Sequence, residues 1–267
     1  DYFYWRRSAN AVELTDLENG VTPWTATRWQ RDLFPAEYRD DFVVIHPGVD
    51  AARFARRPER PRVVAGRAVP PDVRLVTFTA RRLDRLRGFD RFVALANRLL
   101  QERADVVCVA VGGSPVERGL DVEFFGRDYA AHVLERTPPY DPARFWLAGA
   151  LAPDAAADVL AASDLHVYPS RPYAASQSLL EAMAAGRVVL AWDAAPAREF
   201  LDHGRTGLLV DPADADAAAR LALEVLADPA QYRPLGDAAA ELVRERYAHD
   251  VTLPQLAALF DRLVETR

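Results

Sequence analysis

The chain has 267 residues, half of them apolar and 27% charged, with a net charge of −6. That is enough apolar material for one large core or two modest ones, and the acidic balance excludes a generally basic surface for nucleic acid. No apolar run approaches the roughly 20 residues a membrane span needs, and the aromatic, charged start is unlike a secretory signal peptide. The single cysteine, Cys108, lies in an apolar run and reads as a reduced core residue, which predicts a cytoplasmic setting. Lysine is absent, so a site that commonly employs it has arginine here or goes without. The only methionine is Met183, so the first residue is no initiator, and the chain is expected to be part of a longer or processed protein.

In chain order, residues 10–17 have helical character, 21–25 read as a short strand, 27–34 as a helix and 42–46 as another strand closed by Pro47-Gly48. Residues 53–71 are rich in Arg and Pro with little apolar periodicity and read as a linker. From Arg74 onward, apolar runs alternate with amphipathic stretches. Strands are expected at 75–79, 106–111, 145–147, 165–168, 188–192 and 207–210. Helices are expected at 89–100, 124–136, 153–162, 177–185, 214–226, 232–246 and 252–265. Strands apolar at nearly every position and spaced by helices predict a parallel sheet covered on both faces. Right-handed crossovers then make an α/β, doubly wound, Rossmann-like domain.

In such sheets ligands sit at the carboxyl ends of strands, where helix N-termini present unpaired N–H groups. The junction most suited to a ligand runs from Tyr168 to Glu181, where Ala174, Ala175 and Ser176 let a diphosphate approach the amides of Ser176, Gln177 and Ser178. Glu181 stands about one turn inside the helix, placed to accept from ribose hydroxyls. Spacing alone fits a plainer reading better: Ser178-Leu179-Leu180-Glu181 matches a capping box, in which Glu181 bonds the backbone of Ser178. A second cluster is Arg81-Arg82-Leu83-Asp84-Arg85-Leu86-Arg87-Gly88, either a phosphate grip, since guanidinium forks match phosphate oxygens, or a solvated basic loop. Gly112-Gly113 lacks the G-x-G-x-x-G spacing and reads as an ordinary turn. Asp214-Ala215-Asp216 has the form of a metal-binding D-x-D but suits the first turn of a helix better. The five histidines show no metal-ligand spacing.

Several of these stretches together resemble the retaining glycosyltransferases of family 4 (glycosyl transferases group 1), which have the two-Rossmann GT-B fold. Residues 163–168 followed by Leu180-Glu181-Ala182-Met183-Ala184-Ala185-Gly186 are similar to that family's donor-site block, and His203-Gly204-Arg205-Thr206-Gly207 to its next turn. Arg82 through Arg87-Gly88 resembles its R-L-x(3)-K-G loop, and Ile45-His46-Pro47-Gly48-Val49-Asp50 its interdomain I-P-N-G-V-D. Four matches in order favour a ribose-binding Glu181 over the capping box.

The resemblance implies a hexosyl transfer from a UDP-, GDP- or ADP-sugar with retained configuration, without a metal or other cofactor, to an unknown acceptor. It implies that Arg82, Arg87 and Gly88 hold the donor diphosphate, with Arg87 where the family has lysine. Ser176, Gln177 and Ser178 would hold the distal phosphate, and Glu181 the ribose. The family's E-x(7)-E pattern would place its first glutamate at position 173, where this chain has Tyr173, as in a variant branch. The donor-sugar contact at Tyr173 therefore departs from the family, and a non-catalytic nucleotide-sugar-binding or scaffolding module is the rival reading. The implied organisation is the end of an acceptor domain and its connection over 1–50, the donor domain over 51–248, and a helix over 249–267 that crosses back. Expected partners are the donor, the acceptor and the chain's own N-terminal domain, with peripheral membrane attachment if the acceptor is a lipid. Catalytic residues are then expected upstream of this chain.

Overall fold

The computed structural model describes residues 2–55, 62–113, 128–172 and 177–265. A six-stranded, all-parallel sheet organises it. The chain begins with α1 (Tyr2–Glu18), β1 (Trp24–Thr25), α2 (Arg28–Asp32), a 3-10 turn (Ala36–Asp41), β2 (Val43–Val44) and α3 (Ala51–Phe54). β1 and β2 pair in parallel, apart from the main sheet. Thr27 caps α2, its hydroxyl accepting from Gln30 N at 3.1 Å.

Residues 62–71 are more than the linker expected from composition. β3 (Val63–Val64) and β4 (Arg67–Ala68) form an antiparallel hairpin. Its two turn residues, Ala65 and Gly66, both have positive φ, 48° and 79°, as a tight two-residue hairpin turn requires. Ala65 gave no turn signal, because Asn or Asp is the usual residue there. The hairpin is tied to the domain by Arg62, whose guanidinium donates to the carbonyls of Ala162 at 3.0 and 3.2 Å, Pro70 at 3.3 Å and Val73 at 3.0 Å, and to Asp164 Oδ2 at 2.7 Å.

The sheet comprises β5 (Arg74–Arg82), β6 (Val106–Gly113), β7 (Phe145–Gly149), β8 (Leu165–Tyr168), β9 (Val189–Trp192) and β10 (Leu208–Val210), in the order β10-β9-β8-β5-β6-β7. The helices are α4 (Phe89–Glu102), α5 (Tyr129–Arg136), α6 (Pro153–Ala162), α7 (Gln177–Ala184), the short α8 (Ala195–Arg198), α9 (Ala215–Ala227), α10 (Pro229–Arg246) and α11 (His249–Glu265). The expected helix over 124–136 is described from Tyr129 only, and α8 had no sequence signal.

Alternation along the strands divides the core into two faces. Val76, Phe78, Cys108, Ala110, Val167 and Leu190 face one side and pack with Phe89, Phe92 and Leu99 of α4 and Ala222 of α9. On the other side Leu75, Val107 and Val109 meet α6 and the hairpin's Val64, while Val189 and Ala191 meet Leu179 and Met183 of α7. Because both faces are covered, the strands carry no polar-out pattern, which is why the sequence showed them as continuous apolar runs. Burial pushes the Cys108 thiol upward, so it stays protonated.

Strand order turns back between β5 and β8. From β5 the chain winds outward through β6 and β7, then returns to place β8 on the other flank of β5. The crevice at the carboxyl ends of these two strands is the place where such sheets take ligands.

Arg62→Ala is expected to lower stability by about 2–3 kcal/mol, through lost charge-assisted bonds to three carbonyls and to Asp164. Arg62→Lys should recover less than half, since an ammonium lacks the planar fork. Urea denaturation of the three proteins checks this; an Arg62→Ala midpoint equal to the parent would show the hairpin to be an unanchored linker.

Candidate functional site

Two stretches form the crevice: residues 83–88 after β5 and residues 169–172 after β8. They lie in direct contact. Gly88 has φ +78°, and a Cβ there would collide with the Pro169 carbonyl oxygen; only glycine fits both the left-handed backbone and the space. Arg171 N donates to Leu86 O at 2.9 Å, and its guanidinium donates to Arg85 O. The same guanidinium forks onto Asp90 in the first turn of α4, at 2.9 and 2.7 Å. Burial works to raise the Asp90 pKa, but Arg171 outweighs it and holds the carboxyl below its ordinary value. Beneath it, burial and the Asp90 charge push Tyr129 up to about 12. Arg171 and Asp90 were not singled out in the sequence, because their 81-residue separation leaves no local pattern.

The structure places the expected site residues as follows. Arg82 ends β5, exposed, paired in register with Gly113. Gly112 and Gly113 therefore complete a strand rather than form the turn expected of them. Arg87 is half-buried, with its amide fixed by Asp84 Oδ1 at 2.8 Å. Gly88 is the N-cap of α4 and supplies no side chain to its first amides. Gln177 opens α7; its Nε2 donates to Gly48 O at 3.3 Å, linking that helix start to the turn after β2. Ser178 is buried inside the first turn. Tyr173 and Ser176 lie outside the described residues.

Glu181 distinguishes the two readings of α7. A capping box needs Ser178 before the helix and a bond from its amide to the Glu181 carboxylate. Ser178 is instead already inside the helix, and no such bond to Glu181 is present among the described residues. The Glu181 carboxylate makes no hydrogen bond or ion pair among the described residues, and burial alone raises its pKa. A half-buried carboxylate held without a donor is costly, and capping does not account for Glu181, which has none among the described residues.

Other candidates resolve differently. Asp214 caps α9, accepting from Ala217 N at 2.7 Å, and Asp216 pairs with Arg98 at 2.5 Å, so the D-x-D serves the helix start. His46 is buried, its Nδ1 accepting from Gly48 N at 2.9 Å, and burial lowers its pKa to about 4. It packs edge-on against Phe200 and Tyr247.

The strand order, which reverses between β5 and β8, defines a doubly wound α/β domain. The chain belongs to the glycosyl transferases group 1 family, whose model matches residues 74–228, and residues 3–54 match the model of a glycosyl transferase family 4 group. It is 30% identical over 210 residues to D-inositol 3-phosphate glycosyltransferase of Streptomyces avermitilis, covering 76% of this chain and 43% of that protein. It is 26% identical to the GDP-mannose-dependent alpha-(1-6)-phosphatidylinositol monomannoside mannosyltransferase of Mycobacterium tuberculosis, covering 91% of this chain and 61% of that one. The chain thus spans about half the length of the curated relatives it matches.

Among solved structures, HepE from Anabaena in complex with UDP and glucose superposes with a TM-score of 0.72 at 19% identity, over 90% of this chain and 63% of HepE. The C-terminal domain of the group 1 protein LpcC from Francisella tularensis gives 0.60 at 21% identity, over 75% of this chain and 99% of that domain. These likenesses establish the α/β, Rossmann-like fold. No described helix is long and apolar enough to cross a membrane.

A carboxyl group harder to ionise in the folded than in the unfolded chain lowers stability as pH rises above its ordinary pKa of 4.5. Glu181→Gln is therefore expected to raise the Tm of ligand-free protein at pH 7, with the gain shrinking as pH is lowered towards the ordinary value. Thermal denaturation across this range checks it; a gain that stays constant with pH would count against a strained carboxylate.

Proposed function

We propose that this chain binds a nucleoside-diphosphate sugar at the β5/β8 crevice and forms the donor half of a retaining hexosyltransferase. The supporting observation is Glu181, a half-buried carboxylate without a donor among the described residues, one turn into the helix that follows β8. Ribose hydroxyls are the donors that suit it. Arg82, Arg87 and the open start of α4 at Gly88 take the diphosphate. The first amides of α7, at Gln177 and Ser178, take the distal phosphate, with Ser176, which lies outside the described residues, as a further candidate. Positive charge gathered there stabilises the departing nucleoside diphosphate without a metal ion. The acceptor and the catalytic residues belong to an N-terminal domain, against which α11 closes.

Family membership favours transfer over the non-catalytic reading. Tyr173, at the position of the family's first glutamate, is the one feature on the other side, and sugar transfer by the protein with its N-terminal domain decides between them.

The names of the similar proteins include GDP-mannose and UDP as ligands, so UDP, GDP and ADP are the probes of choice. Calorimetry is expected to show one of them binding in the micromolar-to-millimolar range. Glu181→Ala and Arg87→Ala should each weaken it about tenfold or more, the equivalent of one lost charge-assisted hydrogen bond. No heat from any of the three with folded protein, or affinity untouched by both substitutions, would overturn the proposal.

A further inference from the structure

A second charged hollow lies across the sheet, at the amino-terminal ends of the strands. Here a cleft of about 350 Å³ is lined by Arg74 at the start of β5, Asp164 just before β8, Arg187 just before β9, and Asp228 and Arg233 at the start of α10. Its shape depends on a close contact between backbones. A Cβ at Gly236 would collide with the Gly186 carbonyl, so α10 lies directly on the turn leading into β9 and brings its first turn to the strand ends.

Three guanidinium groups therefore face two carboxylates in one hollow, and both carboxylates are engaged. Asp164 Oδ2 accepts from Arg62 Nη2 and from Leu75 N, each at 2.7 Å. Asp228 Oδ1 accepts from Gln231 N at 3.3 Å as the cap of α10. Asp105, the acidic neighbour of Arg74, is held by a two-pronged bond from Arg103 at 2.9 and 2.7 Å. Arg187 is fixed in place by the carbonyls of Ala185 at 2.8 Å and Ser163 at 3.1 Å. Arg74 Nε is buried with no hydrogen-bond partner among the described residues. Arg233 forms no hydrogen bond or ion pair among them. A buried N–H without an acceptor is costly, and the 18-residue α10 adds the positive end of its dipole to the same hollow.

From these we infer an anion site, distinct from the crevice at the carboxyl ends, that takes the phosphate of a small polyhydroxylated phosphate monoester. Guanidinium forks match two oxygens of a phosphate dianion. One water occupies about 10–15 Å³ on the same measure of volume, so a cleft of about 350 Å³ has room for more than one phosphate group. The remaining oxygen of Asp228 is an acceptor for hydroxyls. The inference stands apart from the donor reading, because it uses none of the residues assigned to the donor.

The test is calorimetry on the 267-residue chain with ribose 5-phosphate, ribose, inorganic phosphate and sulfate, with the nucleoside diphosphates measured in parallel. Ribose 5-phosphate is expected to bind more tightly than inorganic phosphate, and ribose not at all. Arg233→Gln and Arg74→Gln should each weaken ribose 5-phosphate about tenfold or more and leave nucleotide affinity unchanged, while Glu181→Ala should leave ribose 5-phosphate binding intact. Arg233 is exposed, so its substitution leaves folding unaffected even if Arg74→Gln does not. Three results would overturn the site: no ribose 5-phosphate binding by folded protein, binding that survives both arginine substitutions, or equal weak binding of sulfate, phosphate and ester, which marks an adventitious ion only.

Discussion

The close contact between the loops after β5 and β8 is the constraint on which the crevice depends. These loops leave adjacent strands where the winding direction reverses, so nothing in the crossover helices holds them together. What does is Gly88 against the Pro169 carbonyl, and Arg171 bonded to the backbone of residues 85 and 86 and to Asp90. Without that seam the two helix N-termini, of α4 and α7, would flank a gap of undefined width. With it, the arginine-bearing loop is fixed relative to the helix carrying Glu181. Arg171 is a positioning residue in this sense: its charge is satisfied by Asp90, and its contribution is geometry.

The site is shaped equally by what is left unsatisfied. Across most of the described domain, buried polar groups find partners, as Arg62, Asp164 and Thr27 illustrate. Glu181 finds none among the described residues, so an uncompensated cost sits on the helix that follows β8. Arg74 at the other end of the sheet repeats the pattern with the opposite charge. In a chain without lysine, arginine takes the structural role at Arg62 and Arg171. The planar fork explains why it can do this so well.

The segments flanking the sheet domain are bound to it by specific contacts. The Glu199 carboxylate, just past α8, accepts from Arg28 N at 3.0 Å and Trp29 N at 2.5 Å, so one domain element caps the start of α2. Thr252 of α11 donates to Pro47 O at 3.3 Å, and Val49 pairs with Ala248. With Gln177 reaching Gly48 O, the turn after β2 is in contact with both the first turn of α7 and the start of α11. Any shift of that turn is therefore felt at the helix proposed to bind phosphate.

The sequence alone determined the strands, the main helices and the fold class, because apolar periodicity is local and both faces of a parallel sheet must be covered. It also marked Arg82, Arg87, Gly88 and Glu181, through motif order. It did not show the 62–71 hairpin, whose Ala65 turn lacks the usual residues, nor the seam between Arg171 and Asp90. Helix spacing alone favoured a capping Glu181, against the motif order, and could not show whether its carboxylate has a partner among the described residues. These were decided by tertiary structure, because each depends on which groups from distant parts of the chain come within hydrogen-bonding reach. Spacing of three or four residues fixes which face of a helix a carboxylate occupies, whereas the presence of a donor opposite it is set by packing.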